Sequence, residues 1–133
     1  MDIHGRCHCG KITYEAKIDP DHVGICHCTD CQTMSGAPYR VNVPVRAADF
    51  TLHGTPAEYI KMPDSGKPRI QAFCPTCGTA LYAVSVDDRS SYNLRLGAIL
   101  ERAELPPRRR KWCRSALPWS ENIEALPQSE KQT

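Results

Sequence analysis

The sequence predicts a mostly-β protein of short strands that is stabilised by bound metal. Eleven prolines and eight glycines in 133 residues favour a loop-rich β protein over a helical bundle. Short β-prone runs alternate with turn residues along the chain. Hydrophobic residues make up 41% of the chain and aromatic residues only 7%, so the core is modest and metal ligation would add stability.

The first half of the chain predicts three strands and one helical turn. Residues 12–16 (ITYEA) are β-prone and follow Gly10, and residues 23–26 form a short strand that leads into a cysteine cluster. Residues 29–33 are expected to form a helical turn. Residues 39–45 alternate as YRVNVPV, which indicates a strand with an edge proline.

The second half predicts further short strands. Phe50–His53 and Ala57–Lys61 flank Gly54-Thr55-Pro56 and are predicted to form a hairpin. Arg69–Phe73 and Ala80–Ser85 are predicted as two strands joined by a metal-binding turn. Residues 92–96 alternate up to Gly97, and residues 110–114 are a late strand candidate.

Length and charge limit the class of protein. We expect a single domain over residues 1–133, with a core at about 5–119 and a polar C-terminal tail in which residues 128–133 fray. A formal net charge of +2 is too weak to indicate nucleic-acid binding. With no apolar run of about eighteen residues and no secretory signal visible, we expect a cytoplasmic protein without a membrane span. Its cysteines are then expected to be metal ligands rather than disulfides.

The most specific signal is the run Cys74-Pro75-Thr76-Cys77-Gly78. Two cysteines separated by two residues can curl around one ion, with each thiolate about 2.3 Å from zinc. The residue after the second cysteine often requires a positive φ, which glycine adopts without strain. A redox Cys-x-x-Cys would expect a thioredoxin-like βαβ setting, whereas the surroundings here are β-prone, so we favour metal binding.

Seven of the eight cysteines fall into three clusters that can form two sites. A closed structural zinc needs four ligands, and one Cys-x-x-Cys turn supplies two. The preferred division joins the first and third clusters in one closed site and leaves the middle cluster as an open site. The ligands are then Cys7, Cys9, Cys74 and Cys77 for the closed zinc, and Cys26, Cys28 and Cys31 for the second zinc. The alternative joins the third cluster to two cysteines of the middle cluster.

Three protein ligands with one free position are the pattern of a catalytic zinc. Three thiolates on a divalent ion leave a net charge of about −1, which makes the zinc a weak Lewis acid and suits a thiol as fourth ligand. A thiol bound in this way loses its proton and becomes nucleophilic at neutral pH. The set Cys26, Cys28 and Cys31 therefore favours sulfur chemistry over hydrolysis.

Four other features have two interpretations each. His8 and His27 lie inside cysteine clusters, but the middle side chain of a Cys-x-Cys turn usually points away from the metal. Cys113 lies in a predicted strand and is expected to be a core thiol rather than a fourth ligand. The basic run of residues 108–111 can meet substrate carboxylates or phosphates, although a solvated face is the favoured interpretation.

The cysteine motifs form one joint pattern over most of the chain. They are residues 5–15 (GRCHCGKITYE), 26–38 (CHCTDCQTMSGAP) and 73–79 (FCPTCGT), accompanied by Arg95-Leu96-Gly97 and Pro118-Trp119. The pattern resembles the glutathione-dependent formaldehyde-activating family, also called the GFA or CENP-V/GFA domain. In that family the strand before the terminal Pro-Trp typically begins with histidine, where this chain has Arg110-Lys111-Trp112-Cys113.

The resemblance implies an Mss4-like fold of small antiparallel sheets with two zinc ions, divided as above. It also implies condensation of formaldehyde with glutathione to S-hydroxymethylglutathione. We therefore expect a carbon–sulfur lyase-type enzyme that adds a thiol, glutathione or similar, to formaldehyde or another small carbonyl, or runs the reverse. The loop Ser35, Gly36 and Ala37 directly follows the open-site ligands and is expected to bind substrate.

Two other functions remain open at this point. A zinc-bound water that hydrolyses an imine or similar electrophile is one, although the weak Lewis acidity of a three-thiolate zinc counts against it. A non-catalytic, zinc-stabilised binding module that uses the basic run to contact a protein or nucleic acid is the other.

Overall fold

The computed structural model describes residues 1–132, which form ten strands, one α-helix and several short 3₁₀ turns. The strands are β1 (Asp2–Arg6), β2 (Thr13–Lys17), β3 (Gly24–Cys26), β4 (Arg40–Arg46), β5 (Phe50–His53), β6 (Ala57–Lys61), β7 (Arg69–Phe73), β8 (Ala80–Ser85), β9 (Ser91–Arg95) and β10 (Arg109–Lys111). The helix α1 spans Thr29–Ser35.

The strands form two sheets. The first has three strands in the order β1-β2-β5, and the second has seven in the order β10-β3-β4-β9-β8-β7-β6. Neighbouring strands are antiparallel except β10 and β3, which run parallel. The predicted mostly-β fold of small, largely antiparallel sheets is confirmed.

One apolar core joins the two sheets. Phe50 of β5 contacts aromatic rings of both sheets. Its ring lies 5.3 Å from the ring of Tyr14 in the first sheet, and 5.7 Å and 5.0 Å from the rings of Tyr82 and Tyr92 in the second. Edge-to-face and tilted aromatic contacts at these distances are attractive beyond the burial of their area. Phe50 therefore links aromatic rings of the two sheets within the apolar core.

The predicted hairpin of β5 and β6 is wrong, although both strands have the predicted bounds. β5 pairs with β2 in the first sheet, and β6 pairs with β7 in the second. The linking residue Gly54 has a φ of +102°, and a Cβ there would lie 2.9 Å from the carbonyl oxygen of Lys11. The glycine therefore lets the chain cross closely over the loop before β2 and change sheets.

The sequence pattern missed β1. This strand pairs with β2 along its whole length and buries Ile3 and Gly5 on alternate positions. Gly5 lies opposite Tyr14, and a Cβ on Gly5 would come within 2.0 Å of the Tyr14 ring. Because glycine has no apolar side chain, β1 lacks the alternation of apolar and polar residues that predicts a strand. An aromatic ring from the neighbouring strand fills the space at this position instead.

The late strand is shorter than predicted. β10 ends at Lys111, and Trp112 has a φ of +57°, a left-handed conformation that is rare outside glycine. This residue turns the chain into a 3₁₀ turn that contains Cys113. Cys113 is exposed, so its prediction as a core thiol is wrong.

The last residue of the predicted tail, Thr133, lies outside the described residues. Within residues 1–132, no helix has the length and apolar character needed to cross a membrane.

Candidate metal centres and the adjoining cavity

Four cysteines meet at the junction of the two sheets. Cys7 and Cys9 follow β1 of the first sheet, and Cys74 and Cys77 lie in the turn between β7 and β8 of the second. Their Sγ atoms all lie within 4.8 Å of one another, with 3.6 Å between Cys7 and Cys9 and 3.7 Å between Cys9 and Cys74. A four-thiolate donor set of this compactness fits a closed zinc site. We call it the four-cysteine cluster.

Two glycine turns shape this cluster. Gly78 has a φ of +78°, and its amide donates to the Cys74 carbonyl oxygen over 2.9 Å. Gly10 has a φ of +84°, and its amide donates to the Cys7 carbonyl oxygen over 3.0 Å. The Ile12 amide points at the Cys7 sulfur over 3.3 Å. The predicted positive φ after Cys77 is thus confirmed, and a second turn of the same kind follows Cys9.

Thr79 supports the cluster from the side. Its hydroxyl lies 3.2 Å from the sulfur of Cys77 and accepts a hydrogen bond of 3.0 Å from the His8 amide. Hydrogen bonds from the side chain and backbone of Thr79 lower the pKa of the Cys77 thiol to about 5. A thiol with this pKa is a thiolate at neutral pH, the form that binds metal.

The remaining clustered cysteines form a second group, the three-cysteine cluster. Cys26 ends β3, Cys28 caps the N-terminus of α1, and Cys31 lies in its first turn. The three Sγ atoms lie within 4.8 Å of one another, and residues 1–132 add no fourth histidine, cysteine or carboxylate to the group. The hydrogen bond between Cys31 and Cys26 lowers the pKa of Cys26 to about 5 and raises the pKa of Cys31. This donor set also fits zinc, with fewer ligands than a closed site.

His27 lies between two of these cysteines but belongs to neither cluster. Its side chain is buried, and its Nε2 accepts a hydrogen bond of 3.1 Å from Nε of Arg110. The ring packs edge-on against Tyr39 with 5.4 Å between centroids, and its amide donates to the carbonyl oxygen of Lys111. This hydrogen bond occupies Nε2, and Nδ1 has no hydrogen-bond partner among residues 1–132. His27 thus fastens the β10 segment beside the cluster, and the exposed His8 also stands outside both groups.

A cavity of about 340 Å³ opens beside the three-cysteine cluster. We call it the cysteine cavity. Its charged lining consists of one acid, Asp30, and five cations: Arg40, Lys61, Arg69, Arg95 and Lys111. The carboxylate of Asp30 is paired with the ammonium of Lys61 over 2.9 Å. The amide side chains of Asn42, Gln71 and Asn93 complete the polar lining.

Arg40 and Arg95 are the buried members of this lining. Their exposed fractions are 6% and 7%. The Arg95 guanidinium donates to the side-chain oxygen of Asn42 and, over 2.6 Å, to that of Gln71. Burial and the neighbouring charge of Arg40 lower the pKa of Arg95 to about 9. Neither arginine has a role that the sequence predicts. Arg40 lies in the alternating run of residues 39–45, and Arg95 belongs to the Arg95-Leu96-Gly97 motif of the family resemblance, but neither signal places a side chain in a cavity.

The comparison with known families agrees with this geometry. Residues 2–115 match the family of the glutathione-dependent formaldehyde-activating enzyme. The chain belongs to this family. No curated protein matches the sequence. A crystal structure of a Rhodobacter sphaeroides protein is similar with a TM-score of 0.62 and 17% sequence identity, and the match covers 80% of this chain and 98% of that chain. At this identity the likeness concerns the fold alone.

In this GFA-family chain the predicted substrate loop lies partly away from the cysteines. Ser35 lines a neighbouring cavity of about 430 Å³, which shares Met34, Arg40 and Arg95 with the cysteine cavity. Gly36 and Ala37 are exposed and line neither cavity. Their role in substrate binding stays a prediction.

The residues of the basic run make different contacts along the edge of the same GFA fold. Arg108 lies 3.8 Å from Asp21, and Arg110 pairs with Glu121 while it holds His27. Lys111 lines the cysteine cavity together with Trp112. The parallel pairing of β10 with β3 places Lys111 opposite Cys26. The run is exposed, as predicted, yet its last member reaches the site.

Proposed function

We propose that the chain is a zinc-dependent enzyme that adds a thiol, glutathione or a similar one, to formaldehyde or another small carbonyl compound, or cleaves the adduct as a carbon–sulfur lyase. The observation that carries this proposal is the three-cysteine cluster at the wall of the cysteine cavity, with no fourth ligand from residues 1–132. The family membership supports the same reaction class.

The two cysteine groups would have different tasks. The four-cysteine cluster would hold a structural zinc, and Cys26, Cys28 and Cys31 would hold the second. Zinc on three thiolates supplies a binding position for a thiol and favours its deprotonated form. The reaction forms one carbon–sulfur bond, converts the carbonyl double bond into a single bond, and moves the thiol proton to the carbonyl oxygen, with no net oxidation.

The residues of the cavity would bind and orient rather than act as a strong base. Among residues 1–132, the cavity lining contains one carboxylate, that of Asp30, which is paired with Lys61. The His27 ring is buried, and its acceptor nitrogen is occupied by Arg110. The lining instead offers amide and cationic donors, which suit carbonyl and carboxylate oxygens.

Cobalt substitution tests the thiol step. Adding a small thiol to the cobalt protein should increase sulfur-to-metal charge-transfer absorption, and the S-methylated thiol should not. Cys28→Ser should abolish the increase, whereas Cys113→Ser, which changes an exposed cysteine outside both clusters, should retain it. An unchanged spectrum at about millimolar thiol, a concentration at which a weak ligand with a millimolar dissociation constant is half bound, would contradict thiol binding.

A further inference from the structure

The cysteine cavity contains more positive charge than its own residues neutralise. Of its five cations, Lys61 is paired with Asp30. No carboxylate of residues 1–132 lies within ion-pair distance of Arg40, Arg69, Arg95 or Lys111. A zinc on three thiolates would offset about one of these four charges. The residues of the cavity therefore carry a clear excess of positive charge.

Two of these charges are buried, which makes the excess costly. Arg40 and Arg95 are each more than nine-tenths buried. The partners of Arg95, the oxygens of Asn42 and Gln71, are neutral and satisfy hydrogen bonds without cancelling charge. A buried cation without a counter-charge is strongly unfavourable unless an anion joins it.

The arrangement of these arginines fits an anion of defined shape. The amides of Asn42 and Gln71 hold the Arg95 guanidinium at two of its nitrogens and leave other N–H donors free. Arg40 lines both the cysteine cavity and the neighbouring cavity, as Arg95 does. A fixed guanidinium matches the two oxygens of a carboxylate, and a second one beside it adds charge.

We infer, building on the proposed function, that the substrate of the three-cysteine site is an anion whose carboxylate is bound by Arg40 and Arg95 beside the reacting sulfur. The carboxylate belongs either to the thiol or to the carbonyl compound. In both cases the site selects acidic substrates over neutral ones of the same size. Selection arises because an uncharged substrate leaves the two buried guanidinium groups without a counter-charge.

Binding of an unreactive dicarboxylate tests the anion site without any catalysis. Succinate has neither a thiol nor an aldehyde, and succinamide is its neutral counterpart. Isothermal titration of the zinc-loaded protein should detect succinate and not succinamide, and added salt should weaken binding. This comparison needs no variant, so it holds even where an arginine substitution disturbs folding.

Variants then locate the binding site. Arg95→Gln should weaken succinate binding by at least about tenfold, the loss expected for a charge-assisted hydrogen bond. Arg95→Lys should retain part of the affinity because it keeps the charge. Arg46→Gln removes the same charge from the exposed end of β4, where Arg46 is paired with Asp49, and should bind like the parent. Equal affinities for succinate and succinamide, or unchanged succinate affinity in Arg95→Gln, would overturn the inference.

Turnover identifies the carrier of the carboxylate. One arm compares mercaptoacetate with 2-mercaptoethanol on formaldehyde, and the other compares glyoxylate with formaldehyde using 2-mercaptoethanol. In one of these comparisons the parent protein should prefer the acidic substrate, and Arg95→Gln should lose that preference. The acidic substrate of that comparison is the one whose carboxylate is bound. If succinate does not bind but the thiol chemistry is normal, the anion site is wrong and the proposed function stands. Succinate binding without any cobalt response to thiol would contradict the proposed function and leave the anion site standing.

Discussion

Gly78 shows how a single residue determines the geometry of a metal ligand. It follows Cys77 with a φ of +78°, and its amide closes the turn on the Cys74 carbonyl. Apart from the two chain neighbours, no residue of 1–132 has an atom within 4 Å of the position of a Cβ, so conformation rather than space restricts this position. The chemistry of the Cys-x-x-Cys turn alone predicted this requirement.

Gly78→Ala should therefore lower the free energy of unfolding by about 1–2 kcal/mol, the cost of the left-handed conformation for a residue with a Cβ. Gly78→Asn should lower the free energy of unfolding by less, since asparagine adopts this conformation more readily. Denaturant unfolding of the zinc-loaded proteins measures both values. Gly97→Ala is the control, because Gly97 has no positive φ and its Cβ would also meet no atom within 4 Å. Equal stability of Gly78→Ala and Gly97→Ala would contradict the conformational explanation.

At the scale of elements, β1 depends on one glycine that an aromatic ring covers. Gly5→Ala should destabilise the protein by about 1–3 kcal/mol, as expected for overpacking, because the new methyl group would overlap the Tyr14 ring. Thermal unfolding of the variant beside Gly97→Ala measures the difference. A second substitution, Tyr14→Leu, should recover part of the loss by making room. If Gly5→Ala unfolds at the parent's temperature, the ring does not occupy this space.

The same strand is anchored by a pH-sensitive pair. Glu101 accepts hydrogen bonds from the amide and Nδ1 of His4 over 2.7 Å and 2.8 Å. The hydrogen bond and charge of Glu101 raise the pKa of His4 above 6.5. Burial raises the pKa of Glu101, but the hydrogen bonds from His4 outweigh burial and lower this pKa below 4.5.

The stabilisation from His4 is complete below pH 6.5 and disappears as pH rises through its raised pKa. The stabilisation from Glu101 is complete above pH 4.5 and disappears as pH falls through its lowered pKa. Glu101→Gln should therefore reduce the melting temperature more at about pH 6 than at about pH 9. In a His4→Gln background the effect of Glu101→Gln should no longer depend on pH. A constant difference in the parent background would show that the pair does not titrate.

At the scale of the whole molecule, the four-cysteine cluster connects the two sheets. Cys7 and Cys9 extend from the first sheet, and Cys74 and Cys77 from the second. Cys74→Ser should unfold or aggregate the protein, because the binding energy of such a site is folding energy of about 10 kcal/mol. Zinc content and thermal unfolding measure the outcome. Native stability with full zinc content would contradict a structural role.

The three-cysteine cluster should be separable from the fold. Cys26, Cys28 and Cys31 lie within one short segment of the chain, so a metal there connects no distant elements. Cys28→Ser should keep the fold and lose one zinc ion and the activity. Metal analysis and melting temperature, compared with Cys113→Ser, test this expectation. Loss of both metals with global unfolding would mean that the two sites are coupled.

The sequence by itself determined the mostly-β class, most strand positions and the grouping of seven cysteines. Strand preference and the Cys74-x-x-Cys77 turn are local features. The joining of the first and third clusters followed instead from ligand counting, because a closed zinc site needs four ligands. The strand β1 was missed because one of its two inward positions is Gly5, whose space is filled by a ring from another strand. Cys113 was misassigned because the left-handed backbone of Trp112 follows the end of β10 at Lys111 and leads into the 3₁₀ turn that contains Cys113.

Only the tertiary structure decided where the strands pair and what faces the cysteines. β5 and β6 are neighbours in sequence but belong to different sheets, since packing across the core outweighs the short loop between them. Arg40, Arg69 and Arg95 come from three different strands of the second sheet and meet in one cavity. No local pattern relates them, because convergence on a cavity depends on strand order and register, which are set by contacts distant in sequence.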